Sequence, residues 1–194
     1  MKVLRNFVVE VPDKFKDTIE LGGKEIFIDT RFDEFGHRIS HGVVVSAPHC
    51  FDTGVREGDT LFFHHHVTQN VNLSLGENRY LVIYDRENTR GCQAIAYRNK
   101  KEELHMLSDW VFVQPLEPEG ERVTESGIIL DLKADKKNEK EARVFMPHPK
   151  LSAQGVNVGS IVGFDRSSDY KIKLDDGSIV FRMTVDDLCY VKES

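Results

Sequence analysis

The amino-acid sequence predicts an all-β protein built from two tandem small β-barrels, each with a long mobile loop after its first strand. One observation is that short runs of β-branched and aromatic residues are separated by Gly, Asp, Asn and Pro, which is typical of strands joined by turns. The other is an internal repeat, in which Val55–Phe63 resembles Val156–Phe164 and Gly76–Tyr80 resembles Gly177–Phe181, both displaced by 101 positions. A constant displacement indicates one structural unit that occurs twice.

The first unit is expected to span residues 1–106. Its predicted strands are Phe7–Val11, Ile26–Ile28, Gly42–Ser46, Thr60–Phe63, Tyr80–Tyr84 and Gln93–Tyr97. Residues 98–106 have the pattern of a helical turn or linker, and the boundary between the two units is therefore placed near residue 106. The long segment after the first strand, residues 13–40, is charged and lacks clean alternation, which predicts a mobile loop.

The second unit is expected to span residues 107–194. Its predicted strands are Trp110–Val113, Gly127–Leu130, Ala142–Met146, Ser160–Phe164, Tyr170–Leu174, Ser178–Met183 and Leu188–Val191. Asp176-Gly177 predicts a hairpin turn, because this pair accepts positive φ angles. Residues 116–141, rich in Glu, Lys and Asp, predict a second mobile loop at the position equivalent to the first.

Composition limits the classes of function. A chain of 194 residues with 40% hydrophobic content fits two small domains, and a net charge of −6 argues against nucleic acid as a partner. No membrane span or signal peptide is expected, since the apolar runs are strand-sized and the first residues lead directly into a strand. Three cysteines without metal or redox spacing, Cys50, Cys92 and Cys189, predict buried thiols in a reduced, cytoplasmic compartment.

The order of motifs in the second unit resembles a known family. A first strand, an acidic loop carrying Ser126-Gly-Ile-Ile-Leu130, the strand Ala142–Met146, the segment Val156–Phe164 and a final hairpin follow one another. This order resembles the GroES-like co-chaperonins, the lids that close chaperonin rings, over essentially all of residues 107–194. The first unit is similar in the same order, with a loop tip at Ile26-Phe27-Ile28 after Gly22-Gly23.

The resemblance implies a function. It implies a non-enzymatic co-chaperonin, without cofactor or metal, that forms a homo-oligomeric ring and caps an ATP-dependent chaperonin in its nucleotide-bound state. The implied chaperonin contacts are Gly127, Ile128, Ile129 and Leu130, with an altered second set at Ile26, Phe27 and Ile28. The first tip is called altered because Lys24 and Glu25 separate it from the glycines and because Phe27 is bulkier than the family norm.

A mobile loop with an apolar tip suits a lid that binds reversibly. Burying each large apolar residue contributes roughly 1.5–3 kcal/mol, and ordering the loop offsets a substantial part of that gain. A ring of identical loops restores affinity through effective concentration. The short stretches Pro48–Gly54 and Pro147–Gly155 leave no room for the roof hairpin of the family. Some viral co-chaperonins are similar in lacking this hairpin, so the resemblance extends to phage-encoded proteins. A phage-encoded protein of this kind would act in the cytoplasm of the host.

The run His64-His65-His66 is the main candidate for a metal site in the sequence. On a strand, His64 and His66 would share one face while His65 would point to the other, and no third ligand with recognisable spacing follows. The sequence therefore predicts a polar strand end or an interface at these residues, and no metal site.

Several alternatives stay open from the sequence. The chain could be a structural ring or adaptor protein that keeps the fold without binding a chaperonin, and Ile128–Leu130 could be an internal strand. The medium-chain dehydrogenases also contain a GroES-like barrel, but the Gly-x-Gly-x-x-Gly motif of their cofactor domain is absent here. A nucleic-acid-binding barrel is disfavoured by the lack of basic stretches interleaved with aromatic residues.

Overall fold

The structure is a computed structural model that describes residues 2–12, 18–27, 35, 38–76, 78–116, 140–165 and 170–192. Within these residues the protein is mostly β, with two large antiparallel sheets, a separate two-stranded hairpin and two short helices. The chain divides into two units, Met1–Ser108 with Leu174–Asp176, and Asp109–Lys173 with Gly177–Ser194. The all-β class is therefore confirmed, whereas closure of each sheet into a barrel stays a prediction.

The described residues of unit 1 form nine strands. These are β1 (Phe7–Glu10), β2 (Thr18–Leu21), β3 (Lys24–Phe27), β4 (His41–Ser46), β5 (Thr60–Phe63), β6 (Ser74–Gly76), β7 (Arg79–Val82), β8 (Ala94–Arg98) and β9 (Leu104–Met106). Seven of them form an antiparallel sheet in the order β6-β7-β1-β4-β5-β8-β9. β2 and β3 pair with each other as a separate hairpin.

The core of unit 1 follows the two-residue period of its strands. Phe7, Val9 and Val11 alternate along and just beyond β1, and all three enter one buried cluster. The other members of this cluster are Ile39, Val44, Val55, Leu61, Phe63, Val67, Tyr80, Val82, Cys92, Ala94 and Leu107. Burial of these side chains is the main favourable term that holds the sheet together.

The described residues of unit 2 form six strands. These are β10 (Trp110–Pro115), β11 (Glu141–Met146), β12 (Ile161–Phe164), β13 (Tyr170–Lys173), β14 (Ile179–Thr184) and β15 (Leu188–Val191). They form one antiparallel sheet in the order β13-β14-β10-β11-β12-β15. This order matches β6-β7-β1-β4-β5-β8 of unit 1 strand for strand, and β9 is the additional strand of unit 1.

The buried cores of the two units repeat as well. The core cluster of unit 2 consists of Val111, Val113, Ala142, Val144, Leu151, Val156, Val162, Phe164 and Met183. Seven of its positions have buried equivalents in unit 1, which pair Phe7 with Val111, Val9 with Val113, Val44 with Val144, Val55 with Val156, Leu61 with Val162, Phe63 with Phe164 and Val82 with Met183. The sequence repeat therefore corresponds to a repeated core.

The turn before β5 and the turn before β12 share their backbone geometry. Gly58 has a φ angle of 88° and Gly159 one of 90°, a region that favours glycine. The N–H of each glycine donates to a buried valine of the neighbouring strand at 2.8 Å, Gly58 to the carbonyl of Val44 and Gly159 to that of Val144. The glycines of the sequence repeat thus occupy equivalent turns.

The prediction of a helical turn or linker over residues 98–106 was wrong in part. β9 begins at Leu104 and pairs with β8, Leu104 lying opposite Arg98. The side chain of Asn99 explains the difference, because its Oδ1 accepts from the N–H groups of Lys101 at 2.9 Å and Glu103 at 3.0 Å. These bonds form a turn that reverses the chain into a hairpin.

The segment predicted as a mobile loop, residues 13–40, contains one strand more than the sequence predicted there. β2 and β3 form a hairpin within this segment, joined by Gly22 and Gly23 with φ angles of 61° and 77°. Two consecutive positive φ angles match the twist of a hairpin, which the glycine pair permits without strain. The predicted strand Ile26–Ile28 overlaps β3 at Ile26 and Phe27, and Ile28 lies outside the described residues.

The two helices are single turns that the sequence patterns did not predict. α1 (His66–Gln69) follows β5, and α2 (Pro149–Ser152) follows β11. α2 begins with a proline at a position where a missing N–H has no cost. No helix in the described ranges is long and apolar enough to cross a membrane.

The cysteines differ from the prediction of three buried thiols. Cys92 is 2% exposed and belongs to the core of unit 1, and its burial raises the pKa of its thiol. Cys50 and Cys189 are exposed. All three are free thiols, so no disulfide joins them.

A tyrosine packs over a glycine where β15 meets β12. A Cβ atom on Gly163 would overlap the ring of Tyr190. The Tyr190 hydroxyl donates to Glu141 Oε1 at 2.7 Å, and Lys192 Nζ donates to Glu141 Oε2 at 2.7 Å. The bond to Glu141 raises the pKa of the Tyr190 hydroxyl. Because the Glu141 carboxylate is buried, these two donors hold β15 against the sheet.

Gly163→Ala is expected to lower the free energy of unfolding by about 1–3 kcal/mol, because the new methyl group must displace the Tyr190 ring. In a Tyr190→Ala background, the same change is expected to be neutral or slightly stabilising, since alanine is favoured over glycine in a strand. Urea unfolding of the four proteins of this double-mutant cycle measures the difference. An equal cost in both backgrounds would show that the tyrosine does not restrict this position.

Candidate functional site

The predicted docking residues are only partly within the described structure. Gly127, Ile128, Ile129 and Leu130 of the second unit lie outside the described residues, as does Ile28 of the first. Ile26 and Phe27 lie in β3, where their backbones pair with Ile19 and Thr18 of β2. The docking role of these residues stays a prediction.

Both long segments connect the same two strands of their sheet. Residues 11–40 join β1 to β4, and residues 116–140 join β10 to β11. The joined strands are hydrogen-bonded neighbours, with Glu10 opposite Val43 in unit 1 and Pro115 opposite Ala142 in unit 2. A connection of about 2–5 residues would be enough to join such neighbours. Each segment is therefore far longer than the fold requires.

The C-terminal ends of the two segments are anchored alike. The carbonyl of Ser40 accepts from the Phe63 N–H at 2.8 Å, and the carbonyl of Lys140 accepts from the Phe164 N–H at 2.9 Å. His41 follows Ser40 at the start of β4, and burial lowers the pKa of its imidazole. Both segments thus rejoin the sheet at a backbone position fixed by a buried phenylalanine.

The two sheets differ beside the last strand that they share, which is β8 in unit 1 and β15 in unit 2. In unit 1 the strand β8 is covered by β9. In unit 2 the equivalent strand β15 pairs with β12 on one side, and no strand of the described ranges pairs with its other side. Tyr190 and Val191 on β15 are 49% and 44% exposed. An edge strand with apolar side chains is a template for pairing with another chain.

Three consecutive histidines converge directly after β5. One potential ligand atom from each of His64, His65 and His66 lies within 4.8 Å of the others. The ring centroids of His64 and His66 are 4.4 Å apart, and those of His65 and His66 are 4.3 Å apart. His65 is buried, at 4% exposure, whereas His66 is exposed. The cluster therefore reaches from the interior of unit 1 to its surface.

The expectation that His65 could not join the other two histidines was wrong. It assumed an extended strand, but β5 ends at Phe63 and α1 begins at His66. His65 has helical backbone angles, φ −56° and ψ −24°. Alternation of side chains applies only to extended backbone, so a turn at this point brings three successive side chains together. The sequence signal for this turn is weak, since histidine has no strong turn preference.

The predicted docking tips and the histidine cluster are thus different parts of the chain. The first belong to the segments that join neighbouring strands, and the second follows β5 of unit 1. In comparisons with known proteins, no protein-family model matches the sequence and no curated protein matches it significantly.

Proposed function

We propose that the protein is a non-enzymatic co-chaperonin with two tandem GroES-like barrels, which caps a nucleotide-bound chaperonin ring and so assists protein folding. It acts by binding, and the chaperonin supplies the ATP hydrolysis. The proposed contacts are Gly127, Ile128, Ile129 and Leu130, with an altered set at Ile26, Phe27 and Ile28.

The repeated long connection carries the proposal. Both sheets insert a long segment between two hydrogen-bonded neighbours, at the same point of an otherwise matching strand order. Loops much longer than their connection requires are usually binding elements or disordered segments. Retention of the segment at both junctions favours a binding role. The apolar tips, Ile128–Leu130 and Ile26–Ile28, identify the part that would contact a partner.

The chemistry of the tips supports a hydrophobic groove as the partner surface. Three large apolar residues in a charged segment offer a short hydrophobic patch on a long polar loop. Such a patch binds a groove weakly on its own, because ordering the loop offsets much of the gain from burial. Several loops on one ring bind together with much higher affinity.

Assembly into a ring is supported by the edge strand β15. Its outer side is the place where a second copy can add a strand, and its exposed apolar side chains would be buried by that pairing. Repetition of one such contact around an axis gives a closed ring of equivalent chains. In such a ring the two units of each chain either stack in two layers or lie side by side in one layer. In the second case the number of units in the ring differs from the number of subunits in the chaperonin ring.

Native mass measurement tests the proposal. Chaperonin rings that accept GroES-like lids commonly have sevenfold symmetry, and a ring that matches one chain for chain would contain seven copies of 22.2 kDa, about 155 kDa in all. The chain is expected to form a ring of discrete mass and to join a GroEL-like chaperonin when nucleotide is present and not when it is absent. Refolding of a chaperonin-dependent substrate with and without the chain measures the functional consequence.

The outcomes separate the proposal from its main alternative. A ring that never joins a chaperonin in any nucleotide state would identify a structural ring or adaptor protein. A monomer that joins no chaperonin would contradict both readings. Binding of the chaperonin without any gain in refolding would contradict the capping role.

A further inference from the structure

We propose that His64, His65 and His66 form a site for a divalent transition-metal ion of the zinc type, outside the segments that carry the proposed chaperonin contacts. The proposal rests on geometry. The three potential ligand atoms lie within 4.8 Å of one another. In a tetrahedral zinc site, Zn–N bonds of about 2.0–2.1 Å place the ligand nitrogens about 3.4 Å apart. Small rotations of the three side chains would bring their ligand atoms, now within 4.8 Å of one another, to this spacing.

The backbone holds the three residues in a converging turn. The His64 N–H donates to the carbonyl of Gln93 at 3.0 Å, which ties the start of the turn to the chain next to β8. Thr68 Oγ1 donates to the carbonyl of His65 at 3.0 Å, and Val67 is fully buried in the core of unit 1. An ion would therefore meet ligands on a backbone that is already positioned, which lowers the entropic cost of binding.

One ring nitrogen is already in the protonation state that a metal requires. The backbone N–H of His66 donates to Nδ1 of His64 at 3.3 Å, so this nitrogen accepts and carries no proton. Metals bind the unprotonated nitrogen of a neutral imidazole. If Nδ1 is the ligand atom of His64, the metal would replace this long hydrogen bond with a coordinate bond.

The ligand set determines the class of ion. Imidazole nitrogens suit zinc, copper, nickel and iron, whereas calcium and magnesium prefer oxygen ligands. Three histidines leave a fourth tetrahedral position for water or another ligand, as in zinc sites that exchange a ligand. The exposure of His66 places that side of the cluster toward solvent. A zinc-type ion with one exchangeable position is thus the inferred occupant.

Calorimetric titration of the full chain with Zn²⁺ tests the inference. The wild-type protein is expected to bind one ion per chain with micromolar affinity and to melt at a higher temperature when the ion is present. His66→Gln changes an exposed side chain and is expected to weaken binding at least about tenfold, since one of three ligands is lost. His64→Ala/His66→Ala is expected to abolish the one-to-one binding.

A matched control removes two histidines that lie outside the cluster. His49 and His105 are both exposed residues of unit 1, and His49→Ala/His105→Ala is expected to leave affinity and stoichiometry unchanged. Circular dichroism of the metal-free proteins verifies that each variant is folded. Wild-type protein that binds no ion, equal binding by His66→Gln and the wild type, or an equal loss in the control would each overturn the inference. Calcium and magnesium are expected to give no heat.

Discussion

Replacing Ile129 with aspartate is expected to abolish capping of a chaperonin while leaving both sheets folded. Ile129 is the central residue of the apolar tip Ile128–Leu130. Its docking would contribute roughly 1.5–3 kcal/mol, and a carboxylate in the same groove would also have to be desolvated. The substitution would therefore weaken the docking of each loop by more than the free energy that Ile129 contributes.

The ring multiplies this loss. Each chain carries the same substitution, so every loop of a homo-oligomer is weakened at once. A loss of 1.4 kcal/mol lowers the affinity of one loop about tenfold, and avidity depends on all loops binding together. The ring that binds the chaperonin tightly in the wild type is then expected to show no detectable binding. Light scattering or native mass measurement of the chaperonin complex records the result.

Val158→Asp is the matched control for this substitution. Val158 is an apolar residue of the same unit that lies before β12 and is 65% exposed. The Val158→Asp substitution places the same charge on unit 2 and leaves the residues of the proposed docking tip unchanged, so capping is expected to be unaffected. If Ile129→Asp binds the chaperonin as tightly as the wild type, or if Val158→Asp loses binding equally, the assignment of the docking tip is wrong.

Most of the strands could be predicted because local patterns and tertiary contacts agree in them. β5 coincides with the predicted strand Thr60–Phe63, and β15 coincides with Leu188–Val191. In the predicted turn of Asp176-Gly177, Gly177 has a φ angle of 86° between β13 and β14. Runs of β-branched and aromatic residues between turn formers need no distant information to be recognised.

The missed elements depend on contacts that a local pattern does not contain. The charged residues before β9 have the pattern of a helical turn, so the sequence did not predict this strand. It forms because Asn99 reverses the chain and because the edge of β8 is available for pairing. β2 was missed because the residues around Gly22-Gly23 lack alternation, although the glycine pair forms the hairpin turn. Short edge strands are specified by their neighbours more than by their own composition.

The two candidate sites differ in how far the sequence could reach them. The docking tips were predicted from the order of motifs around Ile128–Leu130. This order can be recognised in the sequence because of the internal repeat and the resemblance to a known family. The convergence of His64, His65 and His66 was missed because the strand period was extended past Phe63. Whether three adjacent side chains diverge or converge depends on where a strand ends, and strand ends are the least predictable feature of a sequence.

Phe63→Ala and Phe164→Ala form a matched pair that tests the repeated core. Phe63 is 0% exposed and Phe164 is 7% exposed, and they occupy equivalent positions at the ends of β5 and β12. Truncation of a buried phenylalanine to alanine costs about 3–5 kcal/mol, a large share of the 5–15 kcal/mol that stabilises a typical domain. Phe63→Ala is expected to cost more, since its side chain is fully enclosed.

Hydrogen exchange read strand by strand separates the two effects. Phe63 and Phe164 belong to core clusters that have no residue in common. Phe63→Ala is therefore expected to accelerate exchange in β1 and β4 more than in β10 and β11, and Phe164→Ala to do the reverse. Equal acceleration in both sets by either variant would show that the cores unfold as one unit. A cost below about 1 kcal/mol for both would contradict the assignment of these side chains to the cores.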